Sequence, residues 1–306
     1  MREFLIRRLI QLIPVLIGVT IVSFSILYLT PGDPAAIIAG ADATGEDIQR
    51  IRVEFGLDKP FVLQYFNYLS GAFTGELRSI RTKQPVLTEI LPRFVNTIKL
   101  TVVSMVVSIV LGIFIGVFSA VRQNSLVDYV GTVIAILGIC TPVFWLGLLL
   151  ILLFSVTLGW LPAAGMNGLS HMILPSLTLA VASIAVIARM TKSSMLEVIR
   201  QEYVMVARAK GLTEFKVIFK HALRNALLPT VTVVGLRFGY LLGGAVLVES
   251  VFAWPGIGRL LVNAILARDF PVVQIGLMIV ALTFVLVNLA VDLLYSYLNP
   301  RIRYWS

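Results

Sequence analysis

The sequence predicts an all-α, polytopic membrane protein with six transmembrane helices. Three observations carry that expectation. First, 58% of the 306 residues are hydrophobic, only 13% are charged, and the mean hydropathy is +0.94. A soluble domain carries about 25% charged residues, and no soluble core of this size could hide so much apolar side chain, so the solvent must be lipid. Second, the apolar residues fall into six runs, most of them near the length that crosses a bilayer. Third, the charge of +9 sits in short segments between those runs rather than along a basic face interleaved with aromatics. That pattern argues against nucleic acid as a partner.

Arg2, Arg7 and Arg8 precede the first run, residues 9–29. The apolar core of a cleaved signal peptide is about 7–15 residues. This run approaches the ~20 that span, so it reads as a retained first helix, kinked near Pro14. Thr30-Pro31-Gly32-Asp33-Pro34 ends it as a sharp turn. Residues 30–96 form the long polar segment. Within it, residues 44–55 read as a helix capped by Thr44, led by Glu46 and Asp47 and closed by Gly56. Residues 60–69 read as an aromatic-rich helix opened by Pro60 and stopped by Gly71. Tyr65, Phe66, Tyr68 and Phe73 suggest that it lies at the lipid interface. A piece at 85–90 leads into the second span, and the interleaved carboxylates and arginines of the segment form no catalytic constellation.

The second span, 97–121, carries Gly112-x-x-x-Gly116 with Ser104 and Ser108, small residues that let helices approach closely. The third, 129–156, is interrupted at Gly138 and Thr141-Pro142, where a kink is expected. Its Cys140 is the lone cysteine and reads as a buried, inert thiol. Gly159-Trp160-Leu161-Pro162 is an interfacial turn, and the fourth span covers 173–188. In the fifth span, 230–252, Gly235, Gly239 and Gly243 recur every four residues and leave one face bare. Arg237 lies inside that span, where a charge costs about 2.5–3.5 kcal/mol on insertion scales and must face protein, a cavity or a snorkelling route. Glu249 lies near its far end. Trp254-Pro255-Gly256-Ile257-Gly258-Arg259 forms an interfacial turn, Arg268 and Asp269 are expected to pair, and the sixth span covers 272–294 before a basic tail. His171 and His221 are far apart, so no metal-ligand cluster arises from local spacing.

Orientation follows from Lys and Arg. With the N-terminus inside, segments 1–8, 122–128, 189–229 and the tail hold more than half of the 25 basic residues. In the outer segment 30–96, acids and bases nearly cancel. The positive-inside rule therefore gives N-in and C-in, with the large external (periplasmic) segment between helices 1 and 2.

One inner segment, 192–224, does not belong in lipid. It reads as two short helices with a bend. Gly211 fits the left-handed position after the first helix, and Thr213 with Glu214 fits the start of the second. Phe215, Ile218, Phe219, Ala222, Leu223 and Ala226 form an apolar face at helical spacing. Lys216, Lys220 and Arg224 form a basic stripe, and Pro229 marks the boundary with the fifth span. One reading is a basic amphipathic loop on anionic lipid. The other is a docking element, in which Ala207 and Ala209 admit a partner closely and Glu202, Arg208 and Lys210 set its orientation.

Glu202…Ala207-Arg208-Ala209-Lys210-Gly211 followed by His221-Ala222-Leu223-Arg224-Asn225-Ala226…Pro229 resembles the "EAA" loop of ATP-binding-cassette (ABC) importer permeases, more narrowly the dipeptide/oligopeptide/nickel class that includes glutathione importers. Pro31-Gly32-Asp33-Pro34, Phe55-Gly56-Leu57-Asp58-Lys59-Pro60, Leu174-Pro175-Ser176-Leu177-Thr178-Leu179 and Glu249…Trp254-Pro255-Gly256-Ile257-Gly258 extend the resemblance along the whole chain. Gly75-Glu76-Leu77-Arg78-Ser79 and Glu202 depart from it: that class often has Gly-Asp-Leu-Gly-x-Ser and Asp there. The resemblance implies a type I importer permease fold in a prokaryotic cytoplasmic (inner) membrane. Residues 1–94 would be the first helix and external segment, 95–292 the five-helix core with a coupling loop at 191–229, and 293–306 a cytoplasmic tail.

It also implies partners: a second homologous permease subunit, two cytoplasmic ATPase subunits and an external solute-binding protein. Coupling would run through Glu202, Tyr203, Ala207, Arg208, Ala209, Lys210 and Gly211. The translocation path or gate would involve Arg237, Gly239, Gly243, Glu249 and Trp254. No cofactor is expected on this chain. Its sequence has no Gly-x-x-x-x-Gly-Lys-Ser/Thr phosphate loop, so ATP and Mg belong to the ATPase subunits. The cargo is expected to be a di- or oligopeptide, or a related solute such as glutathione, with a nickel complex as an alternative. An ATP-independent channel or proton-coupled carrier is a reading of another class. Such carriers usually hide acids or histidines in mid-membrane, whereas these spans offer Arg237, and Glu249 and Asp292 near their ends.

Overall fold

A computed structural model describes residues 2–29, 32–40 and 42–298. Thr30, Pro31, the tail with Arg301 and Arg303, and the side chains of Arg2, Arg7, Arg8 and Asp292 lie outside what is described. Apart from one antiparallel bridge between Arg78 and Pro85, the regular structure among the described residues is helical. Five helices are long and apolar enough to cross a membrane, or six if one sharply bent pair counts as a span. The chain divides into two compact units, Met1–Asn96 with Pro255–Val285, and Thr97–Trp254 with Leu286–Ser306.

In the first unit, α1 (Arg2–Leu29) places Phe24 and Tyr28 against Phe61, Tyr65 and Tyr68 of α4 (Phe61–Thr74), with ring centroids 5.1 to 5.6 Å apart. Tyr68 is thus buried in an aromatic core, and only Phe66 and Phe73 of the four aromatics expected at the interface are exposed. A short α2 (Pro34–Ala39), too brief to show a period in the sequence, starts at Asp33, whose side chain accepts from Ala35 N at 3.1 Å. Asp33 also pairs with Arg52 at 2.5 Å, which ties that cap to α3 (Gly45–Glu54). As expected, Thr44 caps α3, and a reciprocal capping box with Asp47 closes it.

Helix α4 does not stop at Gly71. It runs on to Gly75, whose φ of +75° ends it. Gly71 stays inside because Leu77 packs on it, 3.0 Å from where a Cβ would stand. Asp269 is buried and accepts from Ser79 Oγ and from the amides of Ile80 (3.1 Å) and Arg81 (3.4 Å). It anchors that loop instead of pairing with Arg268; three donors satisfy a carboxylate better than one exposed neighbour. The stretch read as an interfacial turn continues into α12 (Ile257–Leu266). Its Ile257, Leu260, Leu261 and Ala264 join Val86, Ile90, Val272 and Ile275 in the core of this unit.

Helix α5 (Val86–Val121) contributes its first turns to the first unit and the remainder to the second. In the second unit the Gly112/Gly116 face meets α8 (Ser170–Ile199) as expected. A Cβ would stand 2.7 Å from Ile187 Cγ2 at Gly112, and 2.6 Å from Ala188 O at Gly116. Helix α8 runs past Arg189 and Lys192 to Ile199, well beyond the apolar run; Lys192 is held there by an ion pair with Asp128.

The third span is not kinked but broken. Helix α6 (Leu126–Cys140) ends at Thr141-Pro142, and α7 (Val143–Leu150), prolonged by a π-helical stretch Ile151–Thr157, leaves at 112°. Pro142 supplies no N–H to continue α6, and it pushes Thr141 to extended backbone (φ −78°, ψ 126°). The break leaves Cys140 exposed, contrary to the buried thiol expected. Finally, α11 (Leu223–Val251) contains Pro229 rather than starting after it; membrane bundles tolerate such prolines because neighbouring groups satisfy the freed carbonyl. Helix α13 (Phe270–Leu298) packs Val291 over Gly235 so closely that a Cβ would lie 2.2 Å from Val291 Cγ1.

Candidate functional site

The loop between α8 and α11 is a folded module. Helix α9 (Glu202–Ala209) opens at Gln201, with Glu202 in the first turn, where a carboxylate suits the positive end of the helix. It closes through Lys210 N→Val206 O at 3.0 Å, and Gly211 follows with φ +74°. No atom lies within 4 Å of a Cβ built there, so backbone conformation alone calls for glycine. Thr213 is extended (φ −63°, ψ 143°) ahead of α10 (Glu214–Lys216), but its side chain makes no capping bond.

Glu214 instead takes two hydrogen bonds from Arg208, Nε→Oε1 at 2.7 Å and Nη2→Oε2 at 3.5 Å. That fork clamps the turn around Gly211. Tyr203 OH accepts from Asn225 Nδ2 at 2.8 Å and joins α9 to α11.

Beneath these polar ties lies a small core. Val204 and Ala207 of α9 are buried with Val217, Ile218, Ala222 and Ala226, and with Val117, Ala120 and Met195 from the ends of α5 and α8. Ala207 therefore faces inward, not toward a partner, while Ala209 is exposed. The apolar face expected after Thr213 is also split. Ile218, Ala222 and Ala226 are buried and Leu223 packs at the edge, but Phe215 is 71% exposed and Phe219 42%. The cause is a π-helical stretch, Val217–Ala222, whose wider turn rotates Phe215 before it and Phe219 within it out of register with the residues after.

The loop leaves large apolar side chains in the open. Met205, Val206, Leu212, Phe215 and Phe219 are exposed, the two phenyl rings meet tilted at 4.6 Å, and Glu202, Lys210, Lys216 and Lys220 of the same loop are exposed as well. Met, aromatic and charged side chains open on one loop are the composition of an interface core and its rim. Sequence spacing missed Met205, Val206 and the outward turn of Phe215 and Phe219. Reading Val204 and Ala207 as the inward pair, three residues apart, would have assigned Met205 and Val206 to the open face.

The residues proposed for a path fall into two groups. Glu249 and Trp254 are fully buried: Thr97 Oγ1 donates to Glu249, and Trp254 packs with Leu100, Leu174, Val248 and Phe252. Gly235 and Gly239 are buried too, whereas Gly243 is exposed with nothing within 4 Å of its missing side chain. Arg237 is partly exposed, with its Cζ 5.0 Å over the Tyr240 ring.

Residues 112–304 match the sequence profile of the binding-protein-dependent transport system inner membrane component, and residues 1–101 match that of its N-terminal region. The chain belongs to that family. It is a multi-pass inner-membrane permease subunit of an ABC importer, a class that works with ATPase and solute-binding partners. Among its relatives, the dipeptide transport system permease protein DppB of Alkalihalophilus pseudofirmus is 45% identical over 99% of this chain and all of the relative. The glutathione transport system permease protein GsiC of Escherichia coli is 47% identical over the same shares. A solved structure, the inward-facing MetNI methionine ABC transporter, shares the fold at a TM-score of 0.60 and 21% identity, over 71% of this chain and 99% of that one.

Proposed function

We propose that this permease subunit carries di- or oligopeptides, or a related small solute such as glutathione, inward across the membrane, driven by ATP hydrolysed on separate subunits. The two relatives just described act on a dipeptide and on glutathione, both small, flexible and carboxylate-bearing. In this reading the chain pairs with a second, homologous permease subunit. Of two cytoplasmic ATPase subunits, one docks on its inner loop and the other on the partner permease; ATP and Mg are held by those subunits, and a solute-binding protein delivers cargo from outside.

The observation that carries the coupling role is the folded module at 202–226, with its own small core. Its interior is tied down by Arg208–Glu214, Tyr203–Asn225 and the buried Val204/Ala207 pair, while Met205, Val206, Phe215 and Phe219 are left open. A loop that only stopped a helix would need no such clamp. A loop that transmits motion must move as one body. Closure of the ATPases would displace this module, and α8 and α11, continuous with its two ends, would carry the displacement into the membrane.

The test introduces Met205→Glu with Phe215→Glu, two exposed positions whose change leaves the interior intact. The chain should insert at the unmodified level yet fail to co-purify with its ATPase subunits, and ATP-driven uptake should be lost. Full retention of those subunits by the double variant would overturn the assignment.

A further inference from the structure

The broken third span has a feature that the coupling role does not use. Where α6 ends and α7 begins, Ile139, Cys140, Thr141, Pro142 and Val143 form one wall of a cavity of about 220 Å³. Leu179 and Ala182 of α8, with Tyr240 and Gly244 of α11, form the others. A water occupies ~30 Å³ of liquid, so there is room for several waters or a small solute fragment. Irregular backbone at membrane depth is tolerated where it is buried in protein or lines an aqueous cavity. Discontinuous helices of this kind form the substrate sites of many transporters.

Tyr240 links this cavity to Arg237, the charge at the middle of α11. Arg237, one turn earlier, lies against the Tyr240 ring, and no carboxylate pairs with it among the described residues. A cation–π contact holds the guanidinium but leaves its N–H edge free for a planar anion.

We propose that the cavity at the Thr141-Pro142 break is a station on the translocation path, and that Arg237, seated on Tyr240, binds the carboxylate of the passing solute there. This inference rests on the import function proposed above and adds the recognising group.

Cys140 is the lone cysteine of the chain, lies in the cavity wall, and serves as a native reporter. The assembled transporter, with its ATPase subunits and binding protein, is treated with a charged, membrane-impermeant methanethiosulfonate, and the mass of this chain is read. A thiol in an aqueous path reacts through its thiolate, and one facing lipid or a packed helix does not. The inference expects Cys140 to be labelled, uptake to fall as the label accumulates, and the labelling rate to change between nucleotide-free and ATP-bound states. Absence of labelling in every state would overturn it.

A second arm uses Arg237→Gln with dialanine, glutathione and C-terminally amidated dialanine. KM for transported solutes with a free C-terminal carboxylate should rise about ten- to a hundredfold, as expected for losing a hydrogen bond to a charged group. kcat should change little, and the amide should be unaffected. Equal changes for acid and amide would remove Arg237 from the role. Uptake by the unmodified system that needs neither ATP nor binding protein would instead sink the import reading itself. The two failures are therefore distinguishable.

Discussion

At the scale of single residues, two positions separate conformation from packing. Gly211 holds φ +74° in open space, so a substituent there is penalised by backbone strain alone. Gly211→Val should strain the turn by about 1–2 kcal/mol and lower ATP-driven uptake without lowering the amount inserted. Gly211→Asn, which tolerates the left-handed region, should keep most of it; comparing uptake per inserted molecule for the two variants checks this. Gly116 is the opposite case. Its backbone is ordinary, but an added Cβ would meet Ala188 O at 2.6 Å, and backbone cannot swing aside. Gly116→Ala should lower thermal stability by about 1–3 kcal/mol. Gly18→Ala, with nothing within 4 Å, should leave it unchanged or slightly higher. Detergent-solubilised melting curves would show the difference. Both glycines were legible in the sequence, Gly211 from its place after a polar helix and Gly116 from its four-residue spacing to Gly112. Gly71 was misread as a stop because only the fold shows Leu77 lying on it.

At the scale of elements, the sequence located the membrane helices and the Thr44 cap, and it erred where tertiary contacts or an irregular turn set the outcome. The break at Thr141-Pro142 looked like a kink because composition cannot reveal an angle. Phe215 and Phe219 looked part of one face with Ile218, Ala222 and Ala226 because 3.6-residue spacing does not anticipate a π-helical stretch. Two short helices, α2 and α12, were missed: one has six residues, and the other follows a Gly/Pro turn that masked its start. The α3 cap offers a test by pH. Hydrogen bonds from the Thr44 side chain, then from its backbone amide, hold the Asp47 carboxyl below its ordinary value. A depressed acid stabilises the folded form above its unfolded value of about 3.9, and the contribution is lost as pH falls through the lower folded value. Protection of the α3 amides, taken relative to the intrinsic exchange rate at each pH, should therefore hold above the unfolded value and fall only on further acidification. In Thr44→Ala that protection should already be lower at neutral pH and show less additional loss on acidification. An acid dependence identical in the two proteins would show that Asp47 does not draw its stabilisation from Thr44.

At the scale of the whole molecule, both units leave more apolar side chain open than water tolerates. Leu126, Ile134, Val156 and many other large side chains are exposed, as lipid-facing and partner-facing residues are, since soluble proteins rarely leave such patches open. The family assignment, the helical membrane fold and the order of its spans were all legible before the structure, because hydropathy and five short motifs along the chain encode them. The detailed geometry of the module at 202–226 was not, because Ala207 can face a partner or a core without any change in sequence. The account makes this polypeptide the passive half of a machine whose motor is built elsewhere, and reconstitution tests that most directly. Vesicles holding this chain and its permease partner, supplied with loaded binding protein, should accumulate solute above the bath concentration only when ATPase subunits and ATP are added. Accumulation against a gradient by the permease chains alone, with no nucleotide present, would contradict it.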